Sequence, residues 1–206
     1  MSAPIRPTSK MLMGIVLAVL LGCAPTHPIT SGFVAPTNQN TPGLTRVVVW
    51  SSDPKLEPIL LSWVQDHGGT VIDPSRVQEV VTQEHITLSP SPTVEQDLVR
   101  VARLVGAEQV LVAAVTMESH PVTWMYAGHK EGGERVNTLY DPSVTVRSLN
   151  GKTGEIRWTV SASGQGPVFV PARAIIELTE TALKRATCET EPGHEWQDDS
   201  GCIDKQ

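Results

Sequence analysis

Two cysteines near the end of the chain, Cys188 and Cys202, have side chains that form disulfides or bind metals. They are fourteen residues apart, and a disulfide between them would close a loop that stabilises the fold by about 3 kcal/mol. Together with His194 and Asp204 they also form a set of residue types that binds zinc. We expect the disulfide, and the alternatives are a metal site and two free thiols in a loose tail.

A second set of candidate ligands, Glu118, His120 and His129, lies in one predicted hairpin. The two alternatives for this set are a metal site and a solvated loop. No two histidines have the i, i+4 spacing of a helical zinc site. Gly151-Lys152-Thr153 matches the end of a phosphate-binding loop, but a strand pattern follows it where that motif needs a helix, so we expect a hairpin turn over 150–154. No serine stands in a Gly-x-Ser-x-Gly frame. We therefore expect a chain that is not an enzyme and binds no cofactor and no metal.

Cys23 follows a segment typical of an export signal. Residues 11–22 carry no charge and follow two basic residues. As a helix this segment is about 18 Å long, too short for a hydrocarbon core of about 30 Å. The run Leu20-Leu21-Gly22-Cys23 resembles the lipobox of bacterial lipoproteins, in which the cysteine is acylated. We therefore predict a signal peptide over 1–22 and a lipid on Cys23 that attaches the protein to a membrane.

Charge and composition restrict the partners further. The chain has 16 Lys and Arg against 22 Asp and Glu, a formal net charge of −6, and no basic stripe. It is therefore a poor candidate for nucleic acid, whose binding depends on neutralising phosphates. Residues 23–45 have no charged side chain and are rich in Pro, Thr, Ser, Asn and Gly. We predict that they form the lipid anchor and a flexible tether, which keeps the folded part close to its membrane.

The apolar pattern predicts one periplasmic α/β (α+β) domain over 46–187 and a C-terminal tail over 188–206. The predicted order is β-α-β-α-α-β-β-β-α, with helices packed on a mixed sheet of about five strands. The almost wholly apolar run over 109–115 predicts a central strand covered on both faces. That strand continues outward to Trp124, Met125 and Tyr126, which either form a partner-binding surface on an extended hairpin or fold back over the core.

Three stretches carry a resemblance to a known group. They are Gly68-Gly69-Thr70-Val71-Ile72-Asp73, Val105-Gly106-Ala107-Glu108 with the apolar strand after it, and Thr153-Gly154-Glu155-Ile156-Arg157-Trp158. Together they resemble the CsgG-like envelope lipoproteins, which share a fold with LpoB-type activators of penicillin-binding proteins and with the N-terminal domain of TolB. The resemblance covers about 46–187 and implies a domain without catalytic residues.

We therefore expect an outer-membrane lipoprotein that faces the periplasm and binds protein partners, for assembly or support of a secretion or cell-envelope complex. One alternative is a homo-oligomer that forms a CsgG-like secretion pore, in which the hairpin over 117–137 enters the membrane. Pore proteins of that group use two membrane hairpins per subunit, whereas this chain offers at most one, and its turn is charged. A second alternative is a metal-binding envelope lipoprotein.

Overall fold

The structure is a computed structural model that describes residues 29–34, 44–91, 93–127, 132–164, 166–197 and 200–204. The predicted signal peptide and Cys23 lie outside the described residues. A mixed six-stranded sheet has the order β1-β6-β5-β4-β2-β3. Its strands are β1 (Ile29–Val34), β2 (Arg46–Ser51), β3 (Thr70–Val71), β4 (Gln109–Ala127), β5 (Gly132–Asn150) and β6 (Ile156–Gly164). The predicted fold class, helices on a mixed sheet, is confirmed.

Four α-helices in the described ranges pack on this sheet. They are α1 (Glu57–Asp66), α2 (Pro74–Gln83), α3 (Val94–Val105) and α4 (Pro171–Thr190). A 3-10 turn over Pro54–Leu56 precedes α1. A separate antiparallel hairpin of β7 (His194–Gln197) and β8 (Gly201–Asp204) follows α4. No helix in the described ranges is both long enough and apolar enough to cross a membrane.

Aspartate-proline pairs start the first two helical segments. The carboxylate of Asp53 accepts a hydrogen bond from the Lys55 N–H at 3.0 Å. The carboxylate of Asp73 accepts from the N–H and the hydroxyl of Ser75, at 2.8 and 2.7 Å. In each case a side-chain oxygen satisfies an N–H group that the first helical turn leaves without a backbone partner, and the proline after it fits the first helical position.

Helices cover both faces of the sheet, so the core has two layers. α1 and α4 pack on one face, around Leu60, Val64, Leu178 and Leu183. We call this face the α1/α4 side. α2 and α3 pack on the other face, around Val81, Leu98 and Val101. Successive residues of β4 alternate between the layers, with Leu111 and Ala113 in the first and Val110 and Val112 in the second. The prediction that 109–115 is a central strand covered on both faces is confirmed.

The prediction of a flexible tether over 23–45 does not hold at Ile29–Val34. These residues form β1, which pairs antiparallel with β6 from Ile29–Gly164 to Val34–Thr159. Phe33 packs against the core, and Arg185 of α4 donates hydrogen bonds to the carbonyl and the hydroxyl oxygens of Ser31. A short apolar strand at the open edge of β6 gains backbone pairing that composition alone does not reveal.

The C-terminal part also differs from the prediction, which placed the end of the domain at 187 and a tail over 188–206. α4 continues to Thr190, and the residues after it form β7 and β8. Helix α4 ends where Pro192 and Gly193 follow, and Gly193 has a φ of 87°. Glu191 already has extended backbone, with φ −84° and ψ 130°, because proline disfavours helical backbone at the residue before it, and the positive φ of Gly193 then turns the chain. The tail is therefore a turn and a second, small sheet.

Candidate functional site

β4 and β5 extend beyond the sheet as a two-stranded ribbon. β4 pairs with β2 only as far as Ala113, and β5 pairs with β6 only from Ser143 onward. The eleven pairs from Met117–Pro142 to Ala127–Gly132 have no third strand beside them among the described strands. At about 3.3 Å per residue the ribbon is roughly 35 Å long. One backbone bridge holds its base, between Tyr140 and Val168, with N–H to O distances of 2.9 and 2.8 Å.

The two faces of the ribbon differ in charge. Because paired residues project to the same side, Met117 and Pro142 begin one face and Glu118 and Asp141 begin the other. From its base as far out as Thr123 and Val136, the first face carries no charge; its residues there are Met117, Ser119, Pro121, Thr123, Val136, Thr138, Tyr140 and Pro142. This uncharged face has two large exposed apolar side chains, Met117 at 42% and Val136 at 61% exposure.

The opposite, charged face carries Glu118, His120, Arg135 and Asp141. On it, His120 Nε2 lies 2.9 Å from Asp141 Oδ2. The contrast matters because interface cores are depleted in charged residues, whereas solvated surfaces are rich in them. The uncharged face therefore has the composition of a contact surface.

The predicted partner-binding residues Trp124, Met125 and Tyr126 belong to β4, where their backbone pairs with residues 133–135. Their side chains lie outside the described residues, so their role as anchors stays a prediction.

The two candidate metal sets have different outcomes. His129 lies outside the described residues, and His120 pairs with Asp141. Cys188 and Cys202 are bonded to each other, with their Cα atoms 5.6 Å apart, so the tail set lacks its thiolates. Within the described ranges, no group of three or more His, Cys, Asp or Glu side chains is arranged to hold a metal ion.

A groove of about 890 Å³ lies between α1, α4 and the β7–β8 hairpin. The disulfide joins Cys188 of α4 to Cys202 of β8 and so attaches this hairpin to the helix. Cys188 is buried and Cys202 is exposed. The hairpin contributes Trp196 to the lining of the groove. The cysteine pair that the sequence predicted thus forms one wall of a groove that the sequence did not predict.

Three polar side chains tie α1 to α4 along the groove. Trp63 Nε1 donates to Thr187 Oγ1 at 3.1 Å, and Thr187 Oγ1 lies 2.9 Å from His67 Nε2. His67 Nδ1 lies 2.7 Å from the Trp63 carbonyl oxygen, which only accepts, so Nδ1 carries the proton. The Thr187 hydroxyl has one proton, and it donates this proton to the Leu183 carbonyl oxygen at 3.1 Å or to His67 Nε2. The network fixes the Trp63 indole, which also packs edge-on against Trp158 at 5.9 Å between ring centroids.

No model of a known protein family matches the chain, and no curated protein matches it. Several solved structures resemble it in part. A PelC dodecamer from Paraburkholderia phytofirmans has 13% identity and a TM-score of 0.38, covering 76% of this chain and 95% of that chain. Lipoprotein GNA1162 from Neisseria meningitidis has 16% identity and a TM-score of 0.41, covering 71% and 99%.

The C-terminal domain of LpoB from Escherichia coli has 15% identity and a TM-score of 0.39, covering 75% of this chain and 96% of that chain. LpoB-type proteins, which the sequence resemblance named, are therefore among the structures that this chain resembles. At these identities and TM-scores the similarities assign the chain to no family and transfer no function to it.

Proposed function

We propose that the protein is a lipid-anchored, non-enzymatic protein of the bacterial envelope that presents the β4–β5 ribbon to a protein partner. Its role is the assembly or support of a secretion or cell-envelope complex. The observation that carries the proposal is the ribbon itself, with eleven residue pairs beyond the sheet and one face that has no charge from its base as far out as Thr123 and Val136.

The ribbon has a physical reason to bind a partner. A two-stranded hairpin without further packing is marginally stable in water, and exposed apolar groups along one face lower their free energy when they are covered. Met117 and Val136 are such groups. The outer edges of both strands also carry backbone N–H and C=O groups that a partner strand can pair with.

The membrane attachment in this proposal rests on the sequence. Acylation of Cys23 would hold the domain beside the membrane, and Ala24 rather than Asp after the cysteine resembles the outer-membrane sorting pattern. In cells given a labelled fatty acid, we expect the label in the wild-type protein and none in Cys23→Ser. Label in both proteins, or in neither, would contradict the anchor.

The ribbon is tested by charge at two adjacent positions on opposite faces. Val136→Asp adds a charge to the uncharged face, and Asn137→Asp adds the same charge to the charged face. A buried, unpaired carboxylate is costly at an interface. We therefore expect Val136→Asp to weaken capture of the envelope partner at least tenfold and Asn137→Asp to leave it within about twofold. Equal effects at the two positions would contradict the proposal.

The partner is identified by photo-crosslinking in the native envelope. A photoreactive residue at Thr138, on the uncharged face, should give a discrete crosslinked protein, and one at Glu118, on the charged face, should not. Crosslinks only to lipid would favour the alternative in which the hairpin enters the membrane. Crosslinks only to a second copy of this chain would favour the homo-oligomer.

A further inference from the structure

The groove between α1, α4 and the β7–β8 hairpin has an apolar floor. Ile59 and Trp63 of α1, Leu183 of α4 and Trp196 of β7 line it. Ile59 and Trp63 remain half-buried although they lie on the core-facing side of α1. The volume of about 890 Å³ is within the range of about 300–1,000 Å³ that is typical of binding pockets.

The groove is long rather than compact. On α4 its lining begins at Glu180 and continues to Glu191, the residue after the helix, a span of about 16 Å at 1.5 Å per residue. On α1 it runs from Pro58 to His67, about 13 Å on the same basis. An extended peptide rises about 3.3 Å per residue, so about five residues fill this length.

The charged groups of the lining are mostly acidic. They are the carboxylates of Asp66, Glu180 and Glu191 and the single ammonium group of Lys184. The Ser62 hydroxyl donates to Asp66 at 3.3 Å, and His194 Nδ1 lies 3.7 Å from Glu191. Because Glu180 lies on α4 and Glu191 just beyond its end, about 16 Å away, a single cation cannot contact both.

We infer that this groove binds a short basic segment of a partner protein, with apolar side chains on the tryptophan-lined floor and lysine or arginine side chains at the acidic rim. The length of the groove sets the length of the peptide that fits it, and its carboxylates favour a positively charged peptide. Lysine and arginine also suit the floor, because their long apolar stems lie along hydrophobic surface and cations bind the faces of tryptophan rings.

The disulfide makes this site conditional. Trp196, Gly201 and Cys202 form one wall of the groove, and the Cys188–Cys202 bond fastens that wall to α4. A hairpin with two four-residue strands is marginal alone. The groove is therefore complete only while the bond is oxidised.

The experiment measures fluorescence anisotropy of a labelled five-residue peptide of alternating lysine and leucine. The full-length protein is held in nanodiscs of phosphatidylcholine, which has no net charge, and empty nanodiscs give the background. The comparison peptide replaces each lysine by glutamate. We expect saturable binding of the basic peptide, at least tenfold weaker binding of the acidic one, and weakening by salt.

Charge reversal on α4 locates the site. Glu180→Lys changes the rim, whereas Glu177→Lys makes the same change one turn away, where Glu177 pairs with the exposed Arg173 outside the groove. We expect about fivefold weaker binding for Glu180→Lys and no change for Glu177→Lys. Equal losses, equal binding of the two peptides, or no binding of the basic peptide would each overturn the inference.

Cys202→Ser tests the wall in the same assay, because it removes the bond and leaves Cys188 in the helix. We expect binding of the basic peptide to fall at least fivefold. Unchanged binding would overturn the role of the hairpin as a wall. The peptide assay contains no partner of the ribbon, so its failure leaves the proposed role of the ribbon untouched, and the reverse is also true.

Discussion

Removal of the Cys188–Cys202 disulfide should detach the C-terminal hairpin before it affects the core. Cys202→Ser is the suitable change, because Cys202 is exposed and Cys188, which is 1% exposed, keeps its place in the helix. The cysteines are separated by 14 positions, and the chain-entropy relation for such a loop gives about 3 kcal/mol. For a domain of this size that corresponds to a fall in Tm of roughly 6–12 °C.

The full fall in Tm is expected only if the hairpin stays packed on α4 after the disulfide is removed. β7 and β8 have four residues each and pair only with each other in the sheets described for this chain. Such a hairpin is marginal in water. If it leaves α4, the native state regains chain entropy and the fall in Tm is smaller than about 6 °C. We expect this second outcome, in which the hairpin is lost locally and the core is nearly intact.

Hydrogen exchange with peptide-level resolution separates the two outcomes. In Cys202→Ser, amides of the hairpin should exchange rapidly while those of α4 around Leu178 and Ala182, in the core, stay protected. Reduction of the wild-type protein should give the same pattern, and reoxidation should reverse it. Full protection of the hairpin in Cys202→Ser, or a loss of protection throughout α4, would refute the reasoning.

Three further predictions concern the stability of the fold. Gly151→Ala should lower the free energy of unfolding by about 1–3 kcal/mol in urea denaturation, since a Cβ there would stand 2.6 Å from a backbone carbonyl oxygen; Gly32→Ala, with open space around it, should be near neutral. Thr187→Val should cost about 1 kcal/mol in the same assay and alter the fluorescence of Trp63, whose indole loses its acceptor. Hydrogen bonds from the second residue of α2 hold the pKa of Asp73 below its ordinary 3.8. The contribution of this carboxylate to stability is therefore fully present above pH 3.8 and is lost as the pH falls through the lowered pKa. In thermal unfolding, the fall in Tm caused by Asp73→Ala should therefore be smaller at acidic pH than at neutral pH.

The sequence predicted those parts of the fold whose signal is local. The almost wholly apolar run over 109–115 needs cover on both faces, and the structure places it between β2 and β5 with helices on both sides. Gly106 ends α3 with a φ of 71°, which favours glycine. Residues 150–154 form the predicted hairpin turn, in which the Asn150 side chain accepts from the N–H groups of Lys152 and Thr153 at 2.9 and 3.2 Å. In each case a short stretch of chain contains the whole physical reason.

The parts that the sequence missed depend on contacts between distant residues. β1 exists because β6 offers an open edge and α4 offers Arg185, neither of which is visible in the composition of 23–45. The groove brings Trp63 and Trp196 together from distant parts of the chain. Ile59 and Trp63 recur at helical spacing with the other apolar residues of α1, but this spacing does not show how much of that face other elements cover. Only the structure shows that the elements packed on α1 leave these two residues half-buried.

The ribbon and the groove lie on the same side of the sheet, which bears on how a partner would bind. Val115 of β4 packs against the core on the α1/α4 side, and Met117, two residues on, continues that face into the uncharged face of the ribbon. Val168, just before α4, joins the ribbon base at Tyr140. From there α4 runs 20 residues, about 30 Å, and its C-terminal half lines the groove. A single partner that bound both surfaces would bind more tightly than it would through either surface alone, because binding at one surface holds the partner close to the other. A partner that touches the ribbon alone would show no loss of affinity in Glu180→Lys, so the comparison of that variant with Val136→Asp on one captured partner distinguishes the two arrangements.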